Sequence, residues 1–111
     1  MTGKRSRTKG HSFERKMAQF FQGNGFEHAR RGIQYRDGAE CADVMNVGDL
    51  WIECKVGKRP NIKAAMEQAK EACGLLRPVA ITKWDHGPTY VTMDLDLFGD
   101  LMRIYNEVNS A

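Results

Sequence analysis

The sequence predicts one mixed α/β domain, with a central mixed sheet flanked by helices. Three observations predict this class. Apolar residues follow helical spacing in residues 13–21. Apolar and polar side chains alternate in residues 50–56, as they do in a strand. Turn residues separate these segments from further helix-like and strand-like segments along the chain. The predicted order of elements is α-β-β-β-α-β-β-α. A length of 111 residues fits a single core.

The N-terminal region is predicted to contain an arm and a helix. Residues 1–10 are expected to form a flexible basic arm, because their small, polar and basic side chains supply nothing to bury. Ser12 is a candidate N-cap for a helix that runs to about Gln22. Residues 11–111 are therefore expected to form the single folded domain.

Three strands are predicted after this helix. Residues 26–32 are the first candidate, and residues 40–46 and 50–56 are the next two. Val47-Gly48-Asp49 lies between the last two and predicts a hairpin turn, in which Gly48 can take a positive φ.

The second half of the chain predicts two helices and two strands. Asn61 follows Pro60 and is a good N-cap for a helix that ends at Gly74. Strands are predicted over 78–83 and 89–93. Asp94 or Asp96 then caps a last helix, whose apolar face is formed by Leu97, Leu101, Ile104, Tyr105 and Val108.

Basic residues are clustered, although Lys and Arg outnumber Asp and Glu only by 17 to 14. Such clusters attract a phosphate backbone, because each neutralised phosphate releases counterions. A solvated tail with ordinary surface charge would give the same pattern. The candidate DNA-binding residues are Lys4, Arg5, Arg7, Lys9, Arg30, Arg31, Lys58 and Arg59.

The composition also limits the class of protein. The three cysteines lack C-x-x-C spacing and are expected to be reduced, which argues against a disulfide framework or a zinc site. No apolar run approaches the roughly 18 residues that span a bilayer, and no signal peptide is recognisable. We therefore expect an intracellular protein without a membrane partner.

The most informative stretch is the strand over residues 50–56. Because side chains alternate, Trp51, Glu53 and Lys55 share one face. A Glu-x-Lys pair alone is equally consistent with a surface charge pair. With a three-residue loop, however, Asp43 falls opposite Glu53 on the same face. A one-residue slip would send Asp43 to the other face, and Asp37 or Glu40 would then be the substitute carboxylate.

Two adjacent carboxylates repel each other unless a cation or a proton lies between them. Asp43 and Glu53 therefore predict a Mg²⁺ site, with the backbone carbonyl of Cys54 as a further ligand and Mn²⁺ as a further candidate ion. Lys55 would then orient or deprotonate a water, or stabilise the added negative charge on a phosphate. Trp51 either walls this site or packs under the first helix, and the second arrangement is favoured.

Asp43 with Glu53-Cys54-Lys55 resembles the PD-(D/E)XK nuclease core. The opening Gly10-His11-Ser12-Phe13-Glu14-Arg15, with Gly25-Phe26 and Arg30-Arg31-Gly32, resembles more specifically the archaeal- and phage-type Holliday junction resolvases. The resemblance covers about residues 10–74 and implies a restriction-endonuclease-like fold. It also implies that Glu14 joins the active site as a metal ligand or a partner of metal-bound water. Gln68 would lie near the site as in several related nucleases, and a surface glutamine without a role is the equal alternative.

The resemblance further implies a homodimer in the cytoplasm of a prokaryotic or phage-infected cell. Such a dimer nicks a four-way junction symmetrically. Two positions depart from the family. Ala42 replaces the motif's proline, which costs little because proline carries no chemistry. No serine lies between Arg31 and Asp43, so junction selectivity is less secure than nuclease chemistry. The alternatives are an endonuclease on linear, flapped or mismatched duplex, a non-catalytic DNA-binding protein with a nuclease fold, and a structural or partner-binding α/β domain.

Overall fold

The computed structural model describes residues 2–33 and 41–110, with the side chain of Thr2 excepted. The elements are helix α1 (Thr2–Gly23), strands β1 (Arg30–Arg31), β2 (Val44–Met45) and β3 (Leu50–Gly57), helix α2 (Ile62–Ala72), strands β4 (Arg77–Trp84) and β5 (Thr89–Met93), and helix α3 (Leu95–Ser110). Within these residues the predicted order of elements is confirmed. Asp37 and Glu40, the substitute carboxylates, lie outside the described residues.

The strands form one mixed five-stranded sheet in the order β1-β2-β3-β4-β5. The pairs β1–β2, β2–β3 and β4–β5 are antiparallel. The pair β3–β4 is parallel, and α2 provides the crossover between these two strands. The sheet with its three helices confirms the α/β class.

Strand alternation divides the core between the two faces of the sheet. Ile52 and Cys54 of β3 belong to the main cluster, which includes Phe13 and Ala18 of α1 and Leu97 of α3. On the opposite face Trp51 packs against Ala69 of α2. The sheet is therefore sandwiched, and α2 covers the face on which Trp51, Glu53 and Lys55 were predicted to lie.

Several local predictions are confirmed at turns and caps. The Asn61 side chain accepts a hydrogen bond from the Ala64 N–H and caps α2. Gly48 and Gly74 adopt positive φ values of 55° and 56°, in the hairpin and after α2 respectively. These conformations favour glycine, so the sequence signals were specific.

The predicted flexible arm is wrong within the described residues, because residues 2–10 form the first turns of α1 and Ser12 lies inside this helix. Lys and Arg are good helix formers, so a basic run continues an existing helix at little cost. Lys9 also anchors these turns, since its Nζ lies 2.9 Å from an Asp85 carboxylate oxygen. Tertiary contact thus extends the helix towards the N-terminus.

Strand β2 is shorter than the predicted span of 40–46. The backbone ladder ends near Asp43, whose side chain accepts the Cys54 N–H in place of a backbone carbonyl. Strand β3 continues beyond this point, and in the part of the chain that the structure describes a gap lies beside it. No helix within the described part of the chain is both long and apolar enough to cross a membrane.

Candidate active site

The predicted register between β2 and β3 is confirmed. Val44 pairs with Ile52, as predicted, and the Asp43 carboxylate beside this pair lies close enough to Glu53 to raise its pKa. The Asp43 N–H donates to the Ile52 carbonyl at 2.9 Å, and the Cys54 N–H donates to Asp43 Oδ2 at 2.8 Å. These two hydrogen bonds fix the Asp43 carboxylate at the opening of the gap.

Glu53 is a buried carboxyl, with only 5% of its surface exposed. Trp51 Nε1 donates to Glu53 Oε1 at 3.1 Å. Burial and the nearby charge of Asp43 raise the pKa of Glu53 to about 7, although the Trp51 hydrogen bond acts in the opposite direction. A cation bound nearby would act against burial and favour the charged form of Glu53.

Glu14 reaches the same place from α1. Arg31 Nε donates to Glu14 Oε1 at 2.9 Å. Burial, followed by the charge of Asp43, raises the pKa of Glu14 above its usual value, while Arg31 lowers it. The guanidinium thus holds a carboxylate that would otherwise be repelled by its neighbour.

Lys55 and Cys54 complete the β3 segment of the site. Lys55 is exposed, in contrast to buried Glu53 two residues earlier. Burial raises the pKa of the Cys54 thiol, so its side chain stays neutral and is a poor metal ligand. Because the N–H and C=O of a strand residue face the same neighbouring strand, the Cys54 carbonyl faces the gap beside Asp43.

These groups surround a cavity of about 500 Å³, here called the acidic cavity. It brings together the predicted site residues Glu14, Asp43, Glu53, Cys54, Lys55 and Gln68. Arg31, predicted to bind DNA, also lines this cavity, and the other predicted residues lie elsewhere. Lys4, Arg5 and Lys9 line a second cavity, while Arg7, Arg30, Lys58 and Arg59 are exposed and line neither.

The donor set of the acidic cavity fits a hard divalent cation. Asp43 and Glu53 supply two carboxylates and Cys54 a carbonyl, which is the oxygen set that Mg²⁺ takes together with water and phosphate. Across residues 2–33 and 41–110, no group of three or more His, Cys, Asp or Glu is arranged to hold a metal ion. Glu14 Oε1 accepts a hydrogen bond from Arg31, so this carboxylate is better suited to bind water near such an ion than to ligate it.

The structure adds two residues to the site. Trp51 packs against α2 and donates to Glu53, so the favoured position under the first helix is wrong. Its spacing of two residues from Glu53 was the signal that could have found this contact. Arg31 was predicted to bind DNA but holds Glu14. No local pattern links Arg31 to a residue on another element.

Comparisons with known proteins found no matching family model, curated protein or solved structure. Any functional assignment therefore rests on the residues of this chain and their arrangement.

Proposed function

We propose that this protein is a Mg²⁺-dependent endonuclease that hydrolyses phosphodiester bonds in DNA. The juxtaposition of Asp43 and Glu53 beside Lys55, in a cavity open to solvent, is the observation that carries the proposal. A buried carboxyl with a raised pKa, next to a second carboxylate and a lysine, is costly in a merely structural site, and such groups cluster at functional ones.

Each residue has a distinct role in the proposed reaction. Asp43, Glu53 and the Cys54 carbonyl hold the cation. When bound, the ion supplies Lewis-acid stabilisation of phosphate charge and a more acidic water. Mn²⁺ is expected to support the same chemistry, since oxygen ligands also suit it.

Lys55 binds a non-bridging oxygen of the scissile phosphate and stabilises the negative charge that develops as water attacks phosphorus. The P–O bond to the leaving nucleotide then breaks. Glu14 orients water at the edge of the cavity, and Arg31 fixes its carboxylate. Gln68 lines the cavity from α2 and offers a neutral hydrogen-bonding amide to the substrate.

The substrate we propose is branched DNA, and the four-way junction is the preferred candidate. The support is the resemblance of residues 10–74 to Holliday junction resolvases, together with exposed Arg30, Lys58 and Arg59 for backbone contacts. Duplex that is linear, flapped or mismatched is the alternative substrate. A DNA-binding protein without catalysis is the alternative of another class.

A second copy of the chain is the proposed partner, because paired incisions need two active sites. Helix α3 supplies a suitable surface. Leu97 packs into the core, while most other apolar residues of α3 are exposed, namely Leu95, Phe98, Leu101, Met102, Ile104, Tyr105 and Val108. Leu101, Ile104 and Val108 continue the apolar face of Leu97 beyond the core, at the 4-3-4 spacing of paired helices, which favours packing against a second α3.

The catalytic proposal is tested on a labelled four-way junction and on its linear arms, with Mg²⁺ or with EDTA. Wild-type protein is compared with Glu53→Gln and with the surface control Glu67→Gln. Paired nicks in the junction that disappear with EDTA and in Glu53→Gln, but persist in the control, support a resolvase. Equal cutting of both DNAs would retain the nuclease and remove junction selectivity. Binding without cutting would overturn catalysis.

The dimer is tested separately by sedimentation of Ile104→Asp. The matched control is Asn106→Asp, which adds the same charge to the opposite side of α3. We expect a dimer for wild type and control and a monomer for Ile104→Asp. Monomeric wild-type protein at micromolar concentration would remove this surface from the proposal.

A further inference from the structure

A second and larger cavity, of about 840 Å³, lies next to the acidic cavity and has the opposite charge. It is called the basic cavity here. Its charged lining consists of five cations and one acid, namely Lys4, Arg5, Lys9, Lys16, Lys83 and Asp85. Two of these cations, Lys16 and Lys83, are not among the candidate DNA-binding residues predicted from the sequence.

Most of these cations have no counter-charge among residues 2–33 and 41–110. Lys9 pairs with Asp85, and Lys83 Nζ donates to the Trp84 carbonyl. Among the described residues, Lys4, Arg5, Lys16 and Lys83 have no acidic partner at salt-bridge distance. Cations gathered around one cavity repel each other and create a positive potential inside it. A polyanion that enters the cavity is therefore attracted by all of them.

Helix α1 is the ridge between the two cavities. Ser6, Gly10 and Glu14 line the acidic cavity at spacings of four residues. Lys4, Thr8, Ser12 and Lys16 line the basic cavity at the same spacing. Because residues four apart share one face of a helix, α1 presents an acid to one cavity and cations to the other. Val56, next to Lys55 along β3, lines both.

From the residues of the basic cavity we propose that it binds a run of phosphodiesters flanking the bond that is cut. From Lys4 to Lys16 the helix rises roughly 18 Å, at 1.5 Å per residue. That length matches about five phosphates of one strand at 3.4 Å per nucleotide. Lys83 approaches from β4, so cations border the cavity from two elements.

This inference takes DNA as the ligand from the proposed function but does not depend on cleavage. The basic cavity lies across α1 from Asp43 and Glu53, so it adds affinity without taking part in the chemical step. Lys16→Ala/Lys83→Ala is therefore expected to weaken binding while leaving the rate at saturating DNA within about twofold.

The experiment measures binding of a 20-base-pair duplex in EDTA at several salt concentrations. Counterion release gives a slope of about −0.9 per phosphate contact, which is roughly fivefold in affinity per cation at 0.15 M salt. The double variant should therefore bind about thirtyfold more weakly, with a slope smaller by about two. Lys16→Arg/Lys83→Arg should restore both values, and circular dichroism checks that α1 remains folded.

The matched control is Lys70→Ala/Arg103→Ala, which removes the same charge from residues paired with Asp94 and Asp100. An equal loss in this control would show a net-charge effect and overturn the proposed cavity. An unchanged slope in Lys16→Ala/Lys83→Ala would overturn it too, even if Glu53-dependent cleavage were intact. If Lys16→Ala/Lys83→Ala shows the reduced salt slope but the wild-type protein cleaves no DNA, the proposal for the basic cavity stands and the proposed nuclease activity is rejected.

A second binding measurement, with a mononucleotide, distinguishes a cavity that binds a strand backbone from one that binds a single phosphate group. We expect no binding of deoxyadenosine monophosphate at concentrations at which the duplex saturates the protein. Binding of the mononucleotide that is lost in Lys16→Ala/Lys83→Ala would instead assign the basic cavity to a small phosphate ligand and overturn the strand proposal.

Discussion

The acidic and basic cavities lie on either side of α1, yet their charges are held in different ways. Glu53 is buried and hydrogen-bonded to Trp51, and Asp43 is fixed by the backbone of β3. Lys4, Arg5 and Lys16 are exposed side chains on a helix surface. Fixed, desolvated charges suit chemistry at one atom, whereas exposed cations act at longer range and are screened by salt.

The largest effect should follow from replacing the lysine of the acidic cavity. We expect Lys55→Ala to lower the single-turnover cleavage rate by about 100-fold or more, because charge stabilisation at the reacting phosphate is lost. Affinity for DNA should fall by only about fivefold, because the variant loses a single contact with a phosphate. The control Lys63→Ala, exposed on α2, should cleave at the wild-type rate at saturating DNA. A rate loss shared by both variants would remove the distinction between the cavities.

The buried charge of Glu53 should affect stability in a direction that depends on pH. Its pKa is raised from 4.5 to about 7 in the folded state, so the folded protein binds more protons than the unfolded chain between these values. Stability from this group is therefore present below pH 4.5 and is lost as pH rises through 7. In EDTA at pH 8, Glu53→Gln should be more stable than wild type by about 3 kcal/mol, with little difference near pH 4.5.

Urea unfolding at both pH values measures this difference, with Glu67→Gln as the exposed control. Adding Mg²⁺ at pH 8 should stabilise wild type and leave Glu53→Gln unchanged, because an ion bound only to the folded state raises its stability. Wild-type stability that does not respond to Mg²⁺ would contradict the proposed ligand pair.

An intermediate effect is expected from Arg31, which holds Glu14. Arg31→Ala should lower turnover roughly tenfold and raise the Mg²⁺ concentration needed for half the maximal rate, as removal of outer partners at metal sites does. Arg30→Ala, its exposed neighbour on β1, should weaken DNA binding without changing the Mg²⁺ requirement. If both variants behave alike, Arg31 is a backbone-binding residue as the sequence predicted.

The smallest effect concerns the sheet beside Lys55. Thr82 pairs in register with Lys55 and is fully buried, and its Oγ1 has no hydrogen-bond partner among the described residues. Thr82→Val removes this unsatisfied hydroxyl and should stabilise the protein by about 1 kcal/mol. Thermal unfolding measures the change, and exposed Thr89→Val should stay within about 0.5 kcal/mol. Destabilisation by Thr82→Val would reveal a partner for the hydroxyl.

Much of the acidic cavity was predictable because its signals are local in sequence. Alternation along β3 and the length of the turn at Gly48 together determine that Asp43 meets Glu53. The cap at Asn61 and the order of the elements also follow from short-range patterns. A strand period of two and a short hairpin leave few alternatives, so the sequence determined the sheet, the carboxylate pair and the position of Lys55.

Only the tertiary structure decided how distant segments meet. The ion pair between Glu14 and Arg31 joins α1 to β1, and the basic cavity joins α1 to Lys83 of β4. Residues 2–10 carry no apolar pattern, so their helix could not be predicted from hydrophobic spacing. Such features depend on packing between elements, because the free energy of a long-range contact is set by burial and orientation that no local pattern encodes.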